Sequence, residues 1–309
     1  MNTANTQIRA QRARLNAMSP RYRPYAALGI GALCIGFSAI FTKWAGTPGP
    51  VSAFYRVAIA SAVLAIPYAL SETKKRGTDR SSFGLPAVAF VLTALAGFFF
   101  ALDLGFWNTS LLFTSAANST LLGNTSTLWV AVGATLLFKE ALKRRFWAGM
   151  ATAVVGAAIV VGRDVFLHPN LGLGDLLALC SSLFYAAYML LTQRARHYMG
   201  TLSFMWVASA VATVVLLAYV LATGQPLTGY SFDQYLALIA LGLITHALGW
   251  LAINYALGHL PASLTAVTLL LQPVITALLA VPLLGEGLSL YQVGGGLLVL
   301  LGIYIVVRR

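Results

Sequence analysis

Shifted by 146 residues, the first half of the chain falls on the second. Ala32, Leu33 and Cys34 meet Ala178, Leu179 and Cys180; Asn108 meets Asn254; Gly149 and Gly156 meet Gly295 and Gly302. Apolar coincidences carry little weight where 59% of residues are hydrophobic. Glutamate carries more: the chain has three, and two of them, Glu140 and Glu286, are equivalent under the shift. Whatever the chain folds into must build one unit twice.

What that unit is follows from charge. Only 9% of residues are charged, against roughly 25% in an ordinary soluble domain. Too few remain to cover a water-facing surface. Apolar runs such as 24–42, 85–102 and 293–307 contain almost no ionisable groups, and runs of roughly 17–25 residues match a bilayer as helices. Ten runs are expected, near 24–43, 51–70, 84–106, 111–138, 146–162, 173–193, 201–223, 232–257, 262–284 and 289–307. The expected fold is therefore an all-α integral membrane protein of ten transmembrane helices. A basic segment, 1–23, precedes two five-helix repeats, 24–162 and 173–307, that are expected to form one unit. The basic segment fits either disorder or a short surface helix, and the first span reads as an uncleaved signal-anchor.

A net charge of +12 suggests nucleic acid in a soluble chain, but here the charges sit in short segments between apolar runs. On alternating sides, the N-terminus carries five Lys or Arg, the second and fourth loops four each, the sixth loop two and the C-terminus two. That places 17 on one face against Lys43 and Arg163 on the other. The bias sets both termini in the cytoplasm. Five spans per half is an odd number, so the second half enters the membrane upside down and the repeat has inverted topology. An internal repeat of this kind points to a transporter. Lipid bilayer and small solutes are the expected partners, nucleic acid is not, and a monomer is expected to suffice. Cys34 and Cys180 both fall in apolar runs and suit packing better than a disulfide.

The polar residues inside the runs are the candidate site. His246, Trp250 and Asn254 on span eight stand at i, i+4 and i+8 and share a face; Phe100, Leu104 and Asn108 are their equivalents on span three. Span nine offers Gln272, span four Asn118, Ser126 and Trp129, and span six Tyr185 and Tyr188. Amide, hydroxyl and aromatic groups of this kind hydrogen-bond an amino acid backbone and stack on its side chain; their alternative use is interhelical bonding. Asp103 is the acid well within a run. It either meets a substrate ammonium, carries a coupling proton or is solvated near the outer end of span three. Arg56 is the intramembrane cation, suited to snorkelling, to a helix end or to a carboxylate. Pro273 is expected to kink span nine. Glu140 and Glu286, at the ends of spans four and nine, read as structural devices at equivalent junctions.

Enzyme chemistry finds no purchase. Gly172-Leu173-Gly174-Asp175 matches the Gly-x-Gly-Asp of intramembrane aspartyl proteases, but no Tyr-Asp partner exists, and Asp175 reads more simply as a helix-entrance residue. The chain has no His-Glu-x-x-His, no Gly-x-Ser-x-Gly and no Walker A sequence. Neither catalytic residues, a cofactor nor a metal is expected.

Ten spans, the inverted repeat and the two Gly/Glu junctions resemble the drug/metabolite transporter superfamily, in its EamA-like branch. Ala53-Phe54-Tyr55-Arg56-Val57 carries the resemblance on span two. The junctions Lys139-Glu140-Ala141-Leu142 with Gly149 and Gly156, and Gly285-Glu286-Gly287-Leu288 with Gly295 and Gly302, carry it elsewhere. Within that branch the chain is similar to YddG-type amino acid exporters, which are associated with aromatic amino acid efflux. The resemblance implies an alternating-access carrier in a bacterial inner membrane, with substrate bound near the midplane. Relatives exporting drugs, nucleosides or other metabolites share the same junctions. Proton exchange would require a titrating group, Asp103 or His246, and obligatory coupling is not expected. The second half has Leu202 where the first has Arg56, so the repeat is not functionally symmetric.

Overall fold

The computed structural model describes residues 22–78, 87–110, 112–114, 116–161, 172–285, 287 and 289–308, without the side chains of 72–78 and 116–118. Residues 1–21 and Glu286 lie outside the described residues. Ten helices are long and apolar enough to cross a bilayer: α1 (Arg23–Ala45), α2 (Gly49–Ser71), α3 (Ala87–Ser110), α4 (Ser119–Phe138), α5 (Arg144–Val161), α6 (Leu173–Ala195), α7 (Thr201–Ala222), α8 (Phe232–Leu257), α9 (Ala262–Leu284) and α10 (Leu290–Val307). Among the described residues there is no strand. Helices satisfy their backbone internally, which is what a hydrocarbon solvent demands. Large apolar side chains such as Ile66, Leu136, Leu137 and Val214 point outward, where lipid rather than water covers them.

The two halves interlock. α5 packs on α10, α2 on α7 and α4 on α9, each helix against its own equivalent. α3 packs on α6 as α8 packs on α1, and α4 packs on α6 as α9 packs on α1. Exchanging the halves therefore leaves the set of principal contacts unchanged, as a repeat related by a two-fold axis requires. The small-residue faces explain the tightest contact. A Cβ at Gly156 would lie 2.6 Å from the Gly295 carbonyl oxygen, and one at Gly149 would lie 2.8 Å from that of Gly302. These glycines join the halves within one chain, by close backbone approach.

Three spans are interrupted. α1 bends at Phe37, between the segments Arg23–Gly36 and Ser38–Ala45. α4 breaks between Ala116–Asn124 and Ser126–Phe138, and α9 breaks at the equivalent place, between Ala262–Leu269 and Leu271–Leu284. Pro273 accounts for the second break, since it has no N–H to pair with the carbonyl four residues before it. α4 has Thr127 there. Its break is supported by Thr125, whose Oγ1 donates to the Leu122 carbonyl at 2.5 Å. Carbonyls at the α1 bend are met by α9: Gln272 Nε2 donates to Ile35 O at 3.4 Å and Thr276 Oγ1 to Gly36 O at 2.8 Å.

α8 departs from the expected regular helix. Residues Leu241–Trp250 form a π-helix between Phe232–Ala240 and Leu251–Leu257, whereas α3 stays α-helical throughout. His246 and Trp250 still turn to one side, both rings packing on Phe100 at 5.4 and 4.9 Å between centroids, and His246, Trp250 and Asn254 are all buried.

Candidate functional site

A cavity of ≈ 650 Å³ lies at the centre of the bundle. Its rim is formed by Lys43, Trp107, Thr120, Val161 and Gln292, which stand at the ends of α1, α3, α4, α5 and α10 that share one face. The basic loops 139–145 and 194–196 are on the other face. Its deep wall is Phe100, Tyr185 and Trp250. These rings interlock: Phe100 to Trp250 is 4.9 Å between centroids and Tyr185 to Trp250 is 5.9 Å, both edge-on, the geometry that aromatic quadrupoles favour.

Two opposite charges line the same cavity. Arg56 projects from α2, and its Nη1 donates to Ser38 Oγ of α1 at 3.1 Å. Asp103 projects from α3, and its Oδ1 accepts from Ser181 Oγ of α6 at 2.6 Å. Among the described residues neither has an ion-pair partner. Arg56 Nε, Asn124 Nδ2 and Trp250 Nε1 are buried without a hydrogen-bond partner, and all three residues line the cavity.

Beneath the aromatic wall the bundle is shut. Tyr188 OH donates to Asn254 Oδ1 at 2.9 Å, and Asn254 Nδ2 points at the Met205 sulfur at 3.0 Å. Arg196 Nε donates to the Asn254 carbonyl at 3.1 Å, and its Nη1 to the Met199 carbonyl. Gln193 Oε1 caps the start of α9 by accepting from Ala262 N at 3.0 Å. Ser263 Oγ donates to Glu140 Oε2 at 2.5 Å. These ties join α6 to α8 and α9, and the end of α4 to α9. The repeat supplies a direct control. Thr42 and Asn108, equivalent to Tyr188 and Asn254, both line the cavity, and among the described residues no hydrogen bond joins them. Asn108 donates instead to the Leu104 carbonyl of its own helix at 2.6 Å. One pair is hydrogen-bonded on the basic face, and its equivalent on the other face is not.

Of the residues singled out from sequence, the cavity gathers Arg56, Asp103, Ser126, Tyr185, Trp250, Gln272 and Pro273. Tyr188 and Asn254 belong to the closing layer. His246 stands behind the wall, its Nε2 3.1 Å from Ser209 Oγ and its ring 5.4 Å from that of Phe100. Trp129 is 41% exposed and donates to Ser182 Oγ at 3.1 Å. The Asn118 side chain lies outside the described residues. Glu140 accepts from Ser263 across the junction between α4 and α9. Asp175 is the helix-entrance residue: its Oδ2 accepts from Gly172 N at 3.0 Å and its Oδ1 from Thr114 Oγ1 at 2.7 Å. Both cysteines are free thiols. Ser38, Asn124 and Ser181 also line the cavity without having stood out in the sequence; the amide at the α4 break, near the equivalent of the α9 break before Pro273, was the available signal for Asn124.

Ten apolar helices around a polar, charged cavity that opens on one face define a membrane transporter. The chain belongs to the EamA-like transporter family, whose model matches residues 24–162 and again residues 172–308. It is 25% identical over 257 residues to the uncharacterized transporter YyaM of Bacillus subtilis strain 168, covering 82% of each chain. It is 26% identical over 263 residues to an uncharacterized transporter of Archaeoglobus fulgidus, covering 83% of this chain and 87% of that one. A solved crystal structure superposes with a TM-score of 0.75 over 92% of this chain and 96% of the other, at 18% identity, a likeness of fold.

Proposed function

We propose that this transporter exports amino acids, aromatic ones among them, from the bacterial cytoplasm across the inner membrane. It works as a monomer by alternating access, with both termini in the cytoplasm, and does no chemistry on its cargo. The observation that carries the reading is the one-sided cavity with an aromatic floor. Its ≈ 650 Å³ holds an amino acid with water, and Phe100, Tyr185 and Trp250 offer flat apolar surface to a side chain while hydroxyls and amides face the backbone end. With basic loops inside, the cavity faces the periplasm, and the closing layer around Asn254 and Glu140 bars the cytoplasmic path. Exchange of the two equivalent sets of contacts then reverses the opening.

The test is counterflow of labelled amino acids into proteoliposomes. Accelerated uptake is expected for aromatic and other large neutral amino acids. Trp250→Ala, folded as judged by size exclusion, is expected to lower uptake of aromatic ones at least about ten-fold, since a buried aromatic contact surface is lost. No counterflow with any amino acid, but counterflow with nucleosides or drugs, overturns the reading.

A further inference from the structure

We infer that the cavity selects its cargo by both charged ends of a free amino acid, with Arg56 seating the carboxylate and Asp103 the ammonium. The inference rests on the amino acid reading above and sharpens it to zwitterions.

Arg56 and Asp103 line one cavity, yet no ion pair joins them among the described residues. A buried charge without a partner is costly, and mutual pairing is the usual relief. Here each is held back by a serine from a different neighbouring helix: Ser38 of α1 holds Arg56 at 3.1 Å and Ser181 of α6 holds Asp103 at 2.6 Å. A neutral hydroxyl orients a charge without cancelling it, so both remain available to a cargo carrying the opposite charges. The unspent hydrogen-bond capacity is of matching kind. Arg56 Nε, Asn124 Nδ2 and Trp250 Nε1 are all donors, all buried and all without partners. Three such donors around one cavity call for an acceptor, and a carboxylate accepts several bonds at once. Asp103 accepts only one bond from protein at Oδ1, which leaves acceptor capacity for an ammonium. The aromatic floor takes the side chain by surface rather than by hydrogen bonds, which makes the backbone ends the discriminating part.

Competition with counterflow in wild-type proteoliposomes is the decisive measurement. The labelled amino acid giving the strongest counterflow is challenged with itself unlabelled, with its methyl ester and with its N-acetyl derivative. The ester removes the anion and the N-acetyl group removes the cation. Both analogues are expected to compete at least about ten-fold more weakly than the parent, the order of loss when one partner of a desolvated charge pair is removed. Arg56→Gln is expected to narrow the gap between parent and ester while leaving the N-acetyl gap, and Asp103→Asn to do the reverse. Where a folded variant transports too slowly, the ligand-induced shift in melting temperature gives the same ratios. Equal competition by all three compounds in the wild type overturns the inference while the export reading stands. So do folded variants whose analogue ratios stay at the wild-type values, which marks the two charges as structural only. Absence of counterflow with every amino acid overturns the export reading and this inference together. If a variant does not fold, the wild-type comparison still decides.

Discussion

The repeat lets single residues be compared with their own counterparts in one molecule. α4 ends at Lys139 and α9 ends at Gly285, each in the left-handed conformation, with φ of 55° and 67°. Their caps are equivalent too, with backbone N–H groups on the Ala134 and Ala280 carbonyls. Glycine adopts this conformation freely, whereas a residue with a Cβ is strained there. Lys139→Gly is therefore expected to raise stability by about 1 kcal/mol, and Gly285→Ala to lower it by about the same amount. Thermal unfolding in detergent, followed by size exclusion, checks both; a lower midpoint for Lys139→Gly would refute the account. Nothing stands within 4 Å of a Cβ at Gly285, so backbone strain alone is measured. The same comparison shows how far single residues in the site could be read. Asp103 and Trp250 stand out in the sequence as polar groups in apolar runs, and both face the cavity. Tyr188 and Asn254 stand out equally, yet they bond to each other. Spacing says that a polar group turns inward; it does not say whether it meets cargo or another helix.

At the scale of elements, the glycine stripes were legible as close-packing faces, and the structure gives them their partners. Two adjacent glycines of α10 separate packing from propensity. A Cβ at Gly295 would lie 2.7 Å from the Gly156 carbonyl oxygen, whereas nothing lies within 4 Å of one at Gly294. Gly295→Ala is expected to cost about 1–3 kcal/mol by forcing α5 and α10 apart. Gly294→Ala is expected to be neutral or to stabilise by about 0.5–1 kcal/mol. Comparable thermal midpoints for the two variants would remove the seam from the account. The π segment of α8 was not legible. Its residues, Leu-Gly-Leu-Ile-Thr-His-Ala-Leu-Gly-Trp, carry no proline. Its environment is specific: a Cβ at Gly242 would meet the Ile59 side chain at 2.7 Å, and one at Gly249 would meet Cys34 Cβ at 2.8 Å. The segment runs between α1 and α2, and local propensity contains neither neighbour.

For the whole molecule, the ties on the basic face lie opposite the cavity mouth and are expected to bias which way it opens. The bond between Ser263 and the Glu140 carboxylate crosses from one half to the other. A hydrogen bond to a charged group contributes about 1.5–3 kcal/mol, so Glu140→Ala is expected to favour the opposite opening at least about ten-fold. Ala266 reports it, lying buried on the cavity wall one turn beyond Ser263 on α9. With Cys34→Ala and Cys180→Ala in place, an Ala266→Cys thiol is expected to react faster with an impermeant maleimide in inside-out vesicles when Glu140→Ala is present. Unchanged labelling would show that Glu140 does not hold that face shut.

The sequence by itself determined the solvent, the span count and the two-fold construction, because each rests on one-dimensional quantities: run length, charge between runs and a fixed offset. Two equal halves of five helices each admit two openings, and the chain is the same in both. Tertiary structure decided which equivalent contacts are made, bonding Tyr188 to Asn254 and turning Asn108 to the Leu104 carbonyl of its own helix. It also decided that Arg56 and Asp103, 47 positions apart in the chain, face one cavity on separate serines. Helix rotation and the meeting of distant helices are settled by packing, and packing has no signature in spacing along a single helix.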